Sequence, residues 1–133
     1  MHLRYILYLS ALLQTNICKY IIIMASKRQI KKAIQNACGE IAGECIFAES
    51  AFGENKREEW DSVIIDTALL QQEAVNRVSN KFDKKVKDFA NRKEYNKARR
   101  TFFKQCEKEL SEYFRAEVAN IAKRMNDLMP SNK

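Results

Sequence analysis

The sequence holds one histidine in 133 residues, His2, with three glycines and a single proline, Pro130. So little histidine removes the commonest general base and the commonest metal ligand from nearly the whole chain. Few glycines and one proline leave few places for tight turns, which argues against many short strands and for a few long helices. The four cysteines, at positions 18, 38, 45 and 106, form no Cys-x-x-Cys pair, so the close spacing of structural zinc sites is missing. No glycine-rich phosphate loop, nucleophile elbow or dinucleotide fingerprint occurs. Glu40 and Glu44 lie one turn apart, but a di-metal carboxylate bundle needs Glu-x-x-His on two helices and has neither here. The expectation is a protein that is not an enzyme and takes no metal or cofactor.

A long apolar run is also missing. Residues 1–23 carry an apolar stretch from Tyr5 to Leu13, broken by Gln14, Thr15 and Asn16 before it resumes near Lys19. A spanning helix wants about 20 mostly apolar residues, and neither a small-residue cleavage site nor a lipobox before Cys18 is present. Residues 1–23 therefore read as sequence upstream of a true start at Met24, with a weak membrane anchor and an uncleaved signal-like segment as the competing readings. The expected location is cytoplasmic, or membrane-associated if residues 1–23 are retained. Residues 24–130 read as one domain and 131–133 as a tail.

What is present is helical periodicity. Ile30, Ile34, Cys38, Ile41, Cys45, Ala48 and Phe52 step by three or four, with Ala37 beside them, and define one apolar stripe. Ser26 followed by Gln29 has the form of a capping box, and Gly53 supplies the stop. Two features sit awkwardly in this helix. Lys27, Arg28, Lys31 and Lys32 crowd its amino end while Glu44 and Glu49 lie toward its carboxyl end, the reverse of what the macrodipole favours. Gly39 and Gly43 fall inside it, each at a cost of roughly 1 kcal/mol against alanine. Cys38 and Cys45 are two turns apart, about 10.5 Å by helix rise, too far to bridge on one helix. Reduced, buried thiols are the expected state, in preference to a disulfide to Cys106.

Asn55 with Glu58 repeats the capping-box pattern, so a second helix is expected to begin at Lys56. Its stripe reads Trp60, Ile64, Ala68, Val75, Val78 and Phe82, and the spacing continues through Val86 and Phe89 to a break placed near Asn91. From about Glu94 a third helix carries Phe102, Phe103, Cys106, Leu110, Phe114, Val118, Ile121, Met125 and Leu128 and ends before Pro130. At about 1.5 Å per residue it outruns the first helix, so it either overhangs or breaks near Lys97. The fold class expected is all-α, a three-helix antiparallel bundle, to which a leader helix from residues 1–23 would add a fourth.

Two patterns speak to partners. Gly39 and Gly43 form Gly-x-x-x-Gly on the helix side away from the Ile34 and Ile41 stripe, together with Ile46 and Phe47. They read either as two tolerated small residues or as a helix-contact seam for the leader or another subunit, with Gly43→Leu expected to disrupt association. The net charge is +7, and from Lys81 to Lys104 ten basic residues face three acidic ones. Phe82, Phe89, Tyr95, Phe102 and Phe103 interleave with them. This pattern fits a solvated helix face whose aromatics continue the core, or a surface for nucleic acid or another polyanion. In an antiparallel bundle the amino end of the first helix would join it. The candidate anion-binding set is Lys27, Arg28, Lys31, Lys32, Lys84, Lys85, Lys87, Arg92, Lys93, Lys97, Arg99 and Arg100.

The opening run Ser26-Lys27-Arg28-Gln29-Ile30-Lys31-Lys32, followed by Ile34, Cys38 and Glu44-Cys45, resembles a group of small helical proteins from Bacteroidetes that begin with SKR-x-x-KK-x-I and carry a Glu-Cys pair. The resemblance is best over the first helix and looser around Phe102-Phe103-Lys104. It implies a cytosolic helical bundle starting near Met24 and brings no activity, ligand or site residue with it. The functional expectation is a non-catalytic interaction or structural protein, acting on a protein partner or as a homo-oligomer, with polyanion binding as the alternative.

Overall fold

In the computed structural model three α-helices account for most of the chain, and the structure describes residues 26–53 and 55–130. Helix α1 spans Lys27–Phe52, α2 spans Arg57–Val78 and α3 spans Arg92–Leu128, with a short 3-10 turn at Val86–Asp88 between the last two. No strand occurs among the described residues. The readings that fall on residues 1–23, a true start at Met24 and a leader helix, lie outside the described residues. No described helix is long and apolar enough to cross a membrane.

Helix α1 follows its sequence closely. The Ser26 hydroxyl accepts from the Gln29 N–H at 3.2 Å, and the Ser26 N–H donates to Gln29 Oε1 at 3.0 Å, closing the expected capping box. Every residue of the stripe is buried except Phe52, at the helix edge and 36 % exposed. The helix stops at Gly53, whose N–H donates to the Glu49 carbonyl. Its φ of −93° is open to any residue, so glycine is required here by contact. A Cβ would meet the Glu49 carbonyl oxygen and stand 2.9 Å from Glu49 Cα, both backbone atoms that cannot swing away. Gly53→Ala is therefore expected to destabilise the fold by about 1–3 kcal/mol. At Gly43 a Cβ meets nothing within 4 Å among the described residues. Gly43→Ala should raise stability by roughly 0.5–1 kcal/mol, and thermal unfolding of the two variants reads both signs.

Helix α2 departs from its sequence reading at both ends and along its stripe. The cap is Lys56 without a side-chain bond, so the Asn55–Glu58 capping box does not form, and the turn closes instead by Lys56 N–H to the Gly53 carbonyl at 3.0 Å. The buried stripe is Trp60, Val63, Thr67, Leu70, Ala74 and Val78. Ala68 faces solvent, and Ile64 and Val75 are half-buried. Thr67 enters the core because its hydroxyl donates to the Val63 carbonyl at 2.8 Å, which satisfies the one polar atom that burial would strand.

The second helix ends at Val78, well short of Asn91. Ser79 Oγ turns back to the Val75 carbonyl and the Asn80 carbonyl accepts from Lys27 Nζ at 2.9 Å. Asn80 is thus level with the first residue of α1. Further helical turns would run past the start of α1 and lose its cover. The chain instead folds its connection, residues 79–91, onto α3.

Asn91 caps α3, its Oδ1 accepting from the Glu94 N–H at 2.9 Å, so this helix starts at Arg92, two residues ahead of expectation. It runs unbroken for 37 residues, about 55 Å. Pro130 ends it by forcing extended backbone on Met129, at φ −70° and ψ 145°. Only its second half enters the core, through Leu110, Phe114, Val118, Ile121, Ala122 and Met125. The first half overhangs, which resolves the choice between overhang and a break at Lys97.

The core pairs small with large. Helix α1 contributes Ala37, Cys38, Cys45 and Ala48, while α2 and α3 contribute Trp60, Leu70, Leu110, Phe114 and Met125. Small residues on one helix let larger ones on its neighbours fill the space without voids. Helices α1 and α2 make the more extensive of the two helix pairings.

Candidate anion-binding pole

The overhang of α3 and the connection from α2 build a second, smaller cluster at the end of the bundle where α1 begins. Phe82 anchors it, with ring centroids 6.3 Å from Phe89, 5.7 Å from Tyr95 and 5.4 Å from Phe102. Phe89 meets Tyr95 edge-on at 5.7 Å, and Phe102 meets Phe103 at 5.3 Å. All five rings are half-buried and none belongs to the main core. They neither continue the core stripe of the bundle nor stand free on the surface. Aromatic pairs at these separations contribute about 0.5–1.5 kcal/mol each beyond their burial, enough to hold the connection against α3.

Cations ring this cluster. Lys27 Nζ lies 5.1 Å from the Phe103 centroid while it donates to Asn80, so one side chain ties the start of α1 to the end of α2 and the overhang of α3. The Arg99 guanidinium also approaches Phe103, at 5.4 Å, and Lys84 approaches Phe89 at 6.0 Å. An open cleft of about 1040 Å³ lies between connection and helix, with Phe82, Phe89 and Phe102 among its walls and Lys81, Lys84 and Lys97 at its margin. Asp83 and Glu94 line it too.

The twelve candidate cations are distributed over this end as follows. Lys27 joins the connection and α3 directly. Arg28, Lys31 and Lys32 follow along α1, with Lys31 half-buried and the other two exposed. Lys84, Lys85 and Lys87 are exposed on the connection, where the Lys85 backbone N–H, not its ammonium, engages Asp88 at 2.8 Å. Arg92, Lys93, Lys97, Arg99 and Arg100 are exposed on the overhang. Among the described residues the ion pairs are Arg57–Glu49 at 3.5 Å, Arg77–Glu73 at 2.9 Å and Arg124–Asp66. None of the twelve takes part in them.

The opposite end is more nearly balanced. Glu49 shares a hydrogen bond with Asp61; partial burial, that bond and the Asp61 charge lift its carboxyl above the usual range, while Arg57 pulls the other way. Arg124 of α3 reaches Asp66 and, at 3.2 Å, Ser62 Oγ on α2. Nearer the pole, in the last turn of α2, Arg77 stacks on the Tyr113 ring at 3.7 Å from its centroid. No local pattern announces these α2–α3 contacts, because the partners are tens of residues apart in the chain.

The cysteines are structural in placement. Cys38 and Cys45 are free thiols at 1 % and 0 % exposure, and Cys106 is a free, half-buried thiol on α3. Burial pushes the first two up to about 12, with Glu44 adding to the effect at Cys45. Gly39, Gly43, Ile46 and Phe47 are exposed together on the outer side of α1, away from both the core and the pole.

The molecule so described is an all-α protein, a three-helix bundle with a basic, aromatic-centred pole. Comparison with known protein families, with curated proteins and with solved structures yields no match.

Proposed function

We propose that this chain is a non-catalytic interaction protein of the cytoplasm that binds a polyanion, nucleic acid foremost, through its basic pole. The reading rests on one observation: cations from three separate segments meet at one end of the bundle, and none of the twelve is neutralised by a carboxylate among the described residues. Such a surface attracts phosphates chiefly by releasing their condensed counterions, which needs positive charge and no particular base. The five rings are occupied with one another and with Lys27, Lys84 and Arg99, which favours a role in holding the pole together over stacking on bases. Binding is then governed by phosphate spacing, with little sequence preference.

The test is a titration of labelled single-stranded and duplex DNA at 50 and 200 mM salt. If about five phosphates are neutralised, affinity should fall on the order of 10²–10³-fold between the two conditions. Combining Lys93→Ala, Lys97→Ala and Arg100→Ala should lower the slope of log affinity against log salt by about 3. These three side chains are exposed, so the melting temperature should stay near the parent's. Absence of binding at 50 mM salt would remove the reading.

A further inference from the structure

Helix α1 has a second face, on the side away from the core, where Ile46 is 58 % and Phe47 59 % exposed beside Gly39 and Gly43. Space alone does not call for glycine there, since a Cβ at either position meets nothing within 4 Å among the described residues. Two helix-interior glycines cost the fold roughly 1 kcal/mol each and serve no turn within the protomer. What they do provide is bare backbone over one helical turn, flanked by two large apolar side chains. A neighbouring helix could lie closer there than the usual interaxial distance of about 8–10 Å.

The charges on α1 select the neighbour. The helix has no acidic residue in its first turn and no basic residue in its last, so its macrodipole is uncompensated at both ends. By helical spacing Arg28 and Lys32 share the outer face at the amino end and Glu40 borders it further along, while Glu49 turns toward Arg57 of α2. An antiparallel helix of the same sequence meets each end with its complement: the cations of one copy lie against the negative carboxyl end of the other. A parallel copy would set cation against cation.

We propose that this chain forms a homodimer through the outer face of α1, the two copies of the helix crossing antiparallel at Gly39 and Gly43. The arrangement is isologous about a two-fold axis, so Ile46 and Phe47 of each copy cover the second copy's bare backbone, and Lys32 approaches the Phe47 end of the opposing helix. A contact confined to one helix per protomer buries less than the roughly 800 Å² per partner of a standard interface. It therefore dissociates on dilution.

Sedimentation equilibrium of the full-length protein in reducing buffer tests this without any polyanion present, so its outcome is separate from that of the DNA titration. A monomer–dimer equilibrium is expected over low micromolar to submillimolar concentrations. Gly43→Leu and Phe47→Glu should each weaken association at least tenfold, while circular dichroism and melting show the bundle intact because both positions are exposed. Association unchanged in both variants would overturn the proposal, as would a monomer at every concentration. Nuclear Overhauser contacts from Ile46 and Phe47 to residues 1–23 in a monomer would also overturn it and give the face to that segment instead.

Discussion

Trp60→Ala is expected to cost about 3–5 kcal/mol of stability, the largest single-residue effect in the bundle, whereas Trp60→Phe should stay within roughly 1.5 kcal/mol of the parent. Trp60 sits in the first turn of α2 with no solvent exposure, in the same cluster as Cys45, Ala48, Phe114 and Met129. Truncation to alanine leaves a cavity that helices pinned by Gly53 on one side and by Arg124 on the other close only in part. The indole also buries a donor, Nε1, that has no hydrogen-bond partner among the described residues. A stranded donor costs about 1–3 kcal/mol, and phenylalanine removes it while keeping most of the apolar volume. Both variants relieve the stranded donor alike, so the gap between them reads the packing of the ring and the Trp60→Phe loss reads the donor. Urea unfolding followed by circular dichroism separates them. A Trp60→Phe loss of about 3 kcal/mol or more would mean that the indole N–H is satisfied.

The second large effect is alkaline. Cys38 and Cys45 hold their protons in the folded protein up to about 12, from an ordinary value of 9.0. Above pH 9 the unfolded chain gives up these protons and the folded chain keeps them, so the unfolded state binds fewer protons and stability falls as pH rises. Each thiol removes about 1.4 kcal/mol per pH unit across that window, and the pair together removes several kcal/mol by pH 11. Below pH 9 both states are protonated at these sites and the contribution is flat. Other groups titrate above pH 10, so the comparison is with Cys38→Ala/Cys45→Ala, whose stability should decline less steeply between pH 9 and 11. Parallel slopes for variant and parent would refute the assignment. A thiol reagent at neutral pH gives an independent check, because Cys106 should react while Cys38 and Cys45 stay protected until the bundle opens.

The effects at the two buried thiols trace to the part of the molecule that was most legible. The cap at Ser26, the stripe from Ile30 to Ala48 and the stop at Gly53 are local patterns, each decided by neighbours within four residues, and α1 obeys all of them. The stop at Pro130 is local in the same sense. Helix α2 was less legible because its core face includes Thr67, whose polarity hides its burial until the Val63 carbonyl is seen to accept its hydroxyl. The candidate cations were legible as a charge cluster, but the tie from Lys27 to Asn80 and Phe103 joins positions 53 and 76 residues apart, and nothing local marks it.

Sequence by itself determined that the chain is all-α, that α1 and α3 each carry an apolar stripe, and that positive charge concentrates between Lys81 and Lys104. These follow from the period of 3.6 and from composition, both of which are properties of adjacent residues. Tertiary structure decided where α2 ends and what becomes of the aromatics beyond it. Phe82 and Phe89 keep helical spacing with Val78, but a helix persists only where a neighbour covers its apolar face, and the cover of α1 begins level with Asn80. Past that point the same rings gain more by turning onto Tyr95 and Phe102, and that turn is what draws three basic segments into one pole.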